Sequence, residues 1–124
     1  MIFDTDIFIW AQRDNEKLAK LFEKEERYLS IQSYMELLQH AKNKTQYKHT
    51  KDFLTVFDFT VLPLTENIGH RAAIYIEQYT LSAGLGSGDA IIAATAVENN
   101  MMLASSNTKH FRIIKELQLK VFKP

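Results

Sequence analysis

The sequence predicts an α/β fold, a mostly parallel sheet covered by helices on both faces, and three observations predict it. Short apolar runs, read as buried strands, alternate along the chain with longer segments whose apolar residues recur at helical spacing. That alternation implies crossover connections and parallel neighbours. No internal repeat, low-complexity tract or interdomain linker interrupts the pattern. Finally, 124 residues at 46% apolar and 24% charged content make one domain, residues 1–124, able to bury a core without staples.

Taken in order, Met1-Ile2-Phe3-Asp4 is a short strand that stops at an acid, and Ile7 to Trp10 is a helical turn. From Asp14 to Glu26, Leu18, Leu21 and Phe22 fall at helical spacing among charges, which gives a surface helix. Tyr28 to Ile31 is the second strand. Ser33-Tyr34-Met35-Glu36 has the S-x-x-E pattern of a capping box and opens a helix that runs to about Lys44. Another helix spans Thr45 to Asp58, with Phe53, Leu54, Val56 and Phe57 on its core side. Phe59 to Pro63 is the third strand, stopped by proline. Thr65 caps a long helix reaching about Leu81, with Ile68, Ala72, Ile76 and Tyr79 on one side. Glycines at 84, 86 and 88 lead into a helix that Ser87 can cap, with Asp89 in its first turn. The alanines at 90, 93, 94 and 96 give that helix a small surface for close packing. Met101 to Ser105 and Leu119 to Phe122 are the last two strands, joined by a polar turn and a short helical stretch.

Net charge is zero, which argues against a generic polyanion binder. The distribution is uneven. Residues 37–51 carry four basic and no acidic side chains and 105–124 five and one, against five and eight in 1–36 and one and six in 52–104. Each basic run alone is ordinarily a solvated helix face; together they can flank an acidic pocket and hold a phosphate backbone. The absence of cysteine excludes disulfides, thiolate metal sites and a cysteine nucleophile, and fits a reducing cytoplasm. No signal-peptide pattern follows Met1 and no apolar run is long enough for a bilayer, so a cytoplasmic protein without a membrane partner is expected.

In parallel α/β sheets chemistry gathers beyond the carboxyl ends of the strands. Asp4 ends the first strand, Glu36 lies in the helix after the second, Asn107 follows the fourth, and Asp89 opens the helix leading to it. Carboxylates gathered at one edge repel, and burial further disfavours their charged forms; a divalent cation resolves both conflicts. Oxygen-only ligands select Mg²⁺ or Mn²⁺ over Zn²⁺, and such ions activate water and neutralise charge on a phosphoryl group. Taken singly, each residue has a plainer role. Glu36 can be only the capping-box partner of Ser33, Asp89 a first-turn acid and Asn107 a turn residue. Asp4 and Asp6 can cap the following helical turn, and for Asp6 capping is the preferred role. His110 reads as an exposed or satisfied polar residue, His40, His49 and His70 lack metal spacing, and Phe53, Phe57 and Phe59 read as core.

The combination is more specific than its parts. Asp4-Thr5-Asp6, Ser33-x-x-Glu36-Leu37, Gly88-Asp89-Ala90-x-Ile92-Ala93-Ala94-Thr95-Ala96 and Leu103-Ala104-x-x-Asn107-x-Lys109-His110-Phe111 occur in the order seen in PIN domains. Over essentially its whole length the chain resembles the VapC-type toxins of prokaryotic toxin–antitoxin pairs. The resemblance implies a three-layer α/β/α fold with strand order 3-2-1-4-5, and an endoribonuclease using Mg²⁺ or Mn²⁺, one or two ions per site. By the same resemblance Asp4, Glu36 and Asp89 match the metal-binding acids. Asn107 stands where many members carry a fourth acid and other toxin-like members carry asparagine, and it completes the catalytic set. Thr5 and Ser105 match polar positions able to bond a carboxylate or phosphate, and Asp6 stands where asparagine or serine is common. A homodimer, a small antitoxin partner and an RNA substrate are also implied, with Lys42–Lys51 and Lys109–Lys123 as candidates for the RNA backbone. The alternative is a PIN-like RNA- or protein-binding module with weak or no nuclease activity, which the missing fourth acid favours. A receiver-like domain would need a phosphoacceptor at the end of the third strand, where Leu62-Pro63-Leu64 offers none.

Overall fold

The computed structural model describes residues 1–13 and 15–124; Asp14, where the second helix is expected to begin, lies outside the described residues. Five strands, β1 (Ile2–Phe3), β2 (Tyr28–Ser30), β3 (Thr60–Leu62), β4 (Leu103–Ser105) and β5 (Leu119–Val121), pair in parallel in the order β3-β2-β1-β4-β5. The helices are α1 (Ile7–Gln12), α2 (Glu16–Lys24), α3 (Ile31–His40), α4 (Lys44–Val56), α5 (Glu66–Ala83) and α6 (Ser87–Glu98). No helix among the described residues is long and apolar enough to cross a membrane.

Adjacent residues of the central strands feed opposite faces, as the strand period of two requires. Ile2 and Leu103 join a core with Ile68, Ala72 and Tyr75 of α5 and the alanines of α6. Phe3 and Ala104 join a second core with Phe8 of α1, Leu18 and Phe22 of α2, and Leu54 of α4. Two cores separated by one sheet make the three layers. The second is an aromatic cluster in which Phe3 meets Phe22 edge-on at 5.1 Å; Phe57, expected in the core, is 36% exposed and lies at its margin, 4.6 Å from Phe53.

Several local expectations are corrected. Helix α3 starts directly at the end of β2, so Ser30, not Ser33, is its cap, accepting from the Ser33 N–H at 3.0 Å. Ser33 and Glu36 therefore lie inside the helix and form no capping box. Helix α6 is capped by Gly86 without a side-chain bond, which leaves Ser87 as its first residue rather than its cap. In α4 only Leu54 is buried, and Val56 is 78% exposed because it falls on the outer face near the helix end. The segment after β4 forms turns rather than a helix. Thr65 caps α5 as expected, accepting from Ile68 N–H. Gly84 ends α5 at φ +69°, a left-handed conformation suited to glycine, and so lets the chain double back into α6.

Candidate active site

Asp4 is the first residue beyond β1, its N–H still in the sheet ladder on Ala104 O at 2.9 Å. Parallel pairing with β4 puts Ser105 beside it, and Ser105 Oγ donates to Asp4 Oδ2 at 2.8 Å while Thr5 N–H donates to Oδ1 at 2.8 Å. Asp4 is 6% exposed. Burial first, and then the charge of Asp6, push its pKa up to about 7, against the pull of these two donors.

Glu36 reaches the same strand end from the second turn of α3. Its Oε2 accepts from Thr5 Oγ1 at 2.5 Å and its Oε1 from the Gln32 side-chain amide at 3.2 Å. Thr5 Oγ1 also meets Ser33 Oγ at 3.0 Å, which in turn lies 3.3 Å from Ser30 Oγ, so a row of hydroxyls backs the carboxylate. Asp89 enters from the first turn of α6, half-buried, its pKa raised chiefly by burial, with the charges of Glu36 and Asp6 adding and His110 opposing. Gly88 leaves the Glu36 carboxylate its room beside that approach. A Cβ there would sit 3.1 Å from Glu36 Oε1 and 3.3 Å from Gln32 Nε2.

Asp6 does not cap α1. Although at the N-cap position, its backbone is helical rather than extended, so the side chain cannot swing back onto the first N–H groups. Its Oδ2 instead accepts from Ser106 N–H at 3.2 Å and Ser106 Oγ at 2.5 Å, and its Oδ1 is buried without a hydrogen-bond partner. Asn107 is exposed in the turn after β4, its N–H donating to Ser105 Oγ at 3.1 Å. His110 is a satisfied polar residue, with Nδ1 3.2 Å from Ala83 O.

The fold thus brings Asp4, Glu36, Asp89 and Asp6 to one sheet edge, with Asn107 at the rim. Among the described residues no three acidic or histidine side chains are gathered into a ready ligand set for an ion. Yet an unpartnered buried carboxylate oxygen and a carboxyl group that keeps its proton to about pH 7 both mark an edge short of positive charge. Oxygen donors alone, on Asp4, Glu36 and Asp89, fit a hard divalent cation such as Mg²⁺ or Mn²⁺. Sequence reasoning missed Gln32 and Ser106. Gln32 was legible only as the residue one turn before Glu36 on the same helix face, and Ser106 carried no signal.

Comparison with known proteins points the same way as the geometry. The PIN domain family matches residues 1–117. Ribonuclease VapC10 of Mycobacterium tuberculosis is 39% identical over 61 residues, a match spanning 48% of this chain and only 46% of that protein. Among solved structures, a toxin–antitoxin complex from Klebsiella pneumoniae is 27% identical, covering 94% of this chain and 93% of that one with a TM-score of 0.76. VapBC-1 from nontypeable Haemophilus influenzae is 25% identical, covering 98% of each chain, with a TM-score of 0.80. DNA-bound VapBC from Salmonella typhimurium, at 18% identity, 97% and 96% coverage and a TM-score of 0.81, shares the fold.

Proposed function

The chain belongs to the PIN domain family, and on that premise we propose that it is a Mg²⁺- or Mn²⁺-dependent endoribonuclease, the toxin of a toxin–antitoxin pair. The observation that carries this reading is the convergence of Asp4, Glu36 and Asp89 from three separate elements on one strand-end edge, with donors that hold Asp4 and Glu36 there. The names of the ribonuclease and toxin–antitoxin relatives support it. Asp4, Glu36 and Asp89 are the ligands in this reading, and Asn107 is the polar fourth member of the site. When bound, the ion supplies an activated water and offsets charge at the phosphate. The chain's own part is positional: Thr5 and Gln32 fix Glu36, Ser105 fixes Asp4, and the N-terminus of α6 favours the anionic form of Asp89. The exposed lysines of α4 and of the segment 109–123 are suited to the RNA backbone. A cytoplasmic homodimer silenced by a small antitoxin completes the reading, supported by exposed Met35, Ile74 and Leu81 on α3 and α5.

The test is Mn²⁺-dependent cleavage of a mixed RNA pool by Asp4→Asn and Asp89→Asn proteins. Each is expected to fall at least about 100-fold in rate with the fold intact by circular dichroism, a larger loss than removing a residue that only hydrogen-bonds a ligand causes. Cleavage at the wild-type rate by either variant overturns the site. A folded wild type that binds RNA but never cuts it, with either ion, selects the binding-module alternative.

A further inference from the structure

Trp10 is the chain's only tryptophan, and it sits one hydrogen-bonded link from the carboxylates. Its indole N–H donates to Ser106 Oγ at 3.3 Å, and Ser106 Oγ holds Asp6 Oδ2 at 2.5 Å. The ring is half-buried against the aromatic core, so it is fixed by packing as well as by its N–H. Arg13, exposed at the end of the same helix, carries its guanidinium over the ring, 5.0 Å from the centroid. Neighbouring Ile9 is 51% exposed, so this surface of α1 is open beside the site. Phe3, Phe8, Phe22 and Phe59 offer no such face, since they pack against one another, and Phe111 and Phe122 are buried. Tyr47 and Lys51 form a second cation–ring pair, at 5.7 Å, but on α4 with no hydrogen-bonded link to the carboxylate edge.

A packed indole partly covered by an exposed guanidinium suits one ligand chemistry above others, the unpaired nucleobase. Bases splayed from single-stranded RNA stack on aromatic rings and on guanidinium planes, and a displaced arginine is free to turn to a phosphate. Position on α1, directly after the Asp4-Thr5-Asp6 turn, sets the ring at the rim of the carboxylate edge. We propose that Trp10 and Arg13 form a stacking subsite for one unpaired base of the RNA, adjacent to the bond that is cut. The inference rests on the ribonuclease reading above and adds to it a determinant of where the substrate sits.

Because Trp10 is the sole tryptophan, its emission reports the subsite without any substitution. Short single-stranded RNA is titrated into the wild-type protein with Ca²⁺ supplied in place of the smaller ions, and binding is followed in parallel by anisotropy of end-labelled RNA. Saturable quenching of Trp10 is expected, with the same Kd as the anisotropy gives. Trp10→Leu, which keeps apolar bulk, is expected to raise Kd about 5- to 100-fold, and Trp10→Phe to recover most of that loss because stacking survives. In Mn²⁺-dependent cleavage the Leu variant is expected to raise KM more than it lowers kcat. RNA that binds and is cut while Trp10 emission stays unchanged overturns the subsite and leaves the ribonuclease reading standing. So does a folded Trp10→Leu protein with wild-type Kd. RNA that is neither bound nor cut overturns both.

Discussion

Glu36 is held at both carboxylate oxygens, by Thr5 on one side and Gln32 on the other, and a missing side chain at Gly88 leaves it the room. The two effects of adding a methyl group there have opposite signs. Gly88 lies inside the first turn of α6, where alanine is favoured over glycine by about 1 kcal/mol. The new Cβ, 3.1 Å from Glu36 Oε1, meets only the ends of flexible side chains, which give way by a few tenths of an ångström. Gly88→Ala is therefore expected to melt at or above the wild-type temperature while binding Mn²⁺ about 10-fold more weakly, because the Glu36 carboxylate and the Gln32 amide that holds it are displaced. Calorimetric titration beside a melting curve checks both, and unchanged Mn²⁺ affinity would remove Glu36 from the ligand set. At this scale the sequence was readable where the family resemblance marks a position: Thr5 and Ser105 match polar positions able to bond a carboxylate or phosphate, and each bonds a carboxylate. It was unreadable where the partner is set by side-chain direction. Asp6 looks like a cap from its position, and only the helical backbone at that residue turns its carboxylate toward Ser106.

At the scale of elements, the approach of α6 to the sheet decides where Asp89 sits. Ala90, Ala93, Ala94 and Ala96 are all fully buried, and α6 packs against α5 along its length. Ala93→Leu is expected to destabilise the protein by about 1–3 kcal/mol through overpacking. Because the helix must back away from the sheet, Asp89 moves with it, and cleavage should fall even at temperatures where the variant is fully folded. Wild-type activity in a folded Ala93→Leu protein would show that α6 can shift without moving the site. The alternation of strands and helices was legible because each element carries its own period, and the parallel sheet followed from it. Element ends were less so. Strands of two or three residues leave little periodicity to locate a boundary, and β2 passes into α3 with no loop between them. Ser30 and Ser33 are both good caps, and the absence of that loop decides for Ser30.

For the whole molecule, the crowded carboxylates make stability depend on pH in an unusual direction. Asp4 titrates near 3.8 when exposed and at about 7 in the folded protein, so the folded state holds a proton that the unfolded state has released. The unfolded chain therefore binds fewer protons across that window, and stability falls as pH rises through it. Asp89 is raised as well and acts with the same sign. Glu116, which accepts from the Tyr75 hydroxyl and from Arg71 at 2.7 Å, is lowered and acts oppositely, but its contribution is fully present above the ordinary carboxylate range. Between about pH 5.5 and pH 8 the raised acids set a falling slope, opposed towards the alkaline end by the Met1 amine, whose pKa burial lowers, and the metal-free protein is expected to lose at least about 4 °C in Tm. A divalent cation binds the deprotonated carboxylates and competes with that proton, so the effect of Mn²⁺ should grow with pH. At about 100 times its Kd the ion adds about 2.7 kcal/mol, enough to cancel or reverse the slope at the alkaline end. The control is Asp4→Asn, which abolishes the principal titrating group: its metal-free Tm should fall clearly less over the same range, by what Asp89 still contributes, and should respond weakly to Mn²⁺. A wild-type Tm independent of pH, or a slope that survives undiminished in Asp4→Asn, would show that Asp4 is not the strained acid of this edge. A Tm that Mn²⁺ leaves untouched at every pH would show instead that the edge stays cation-free.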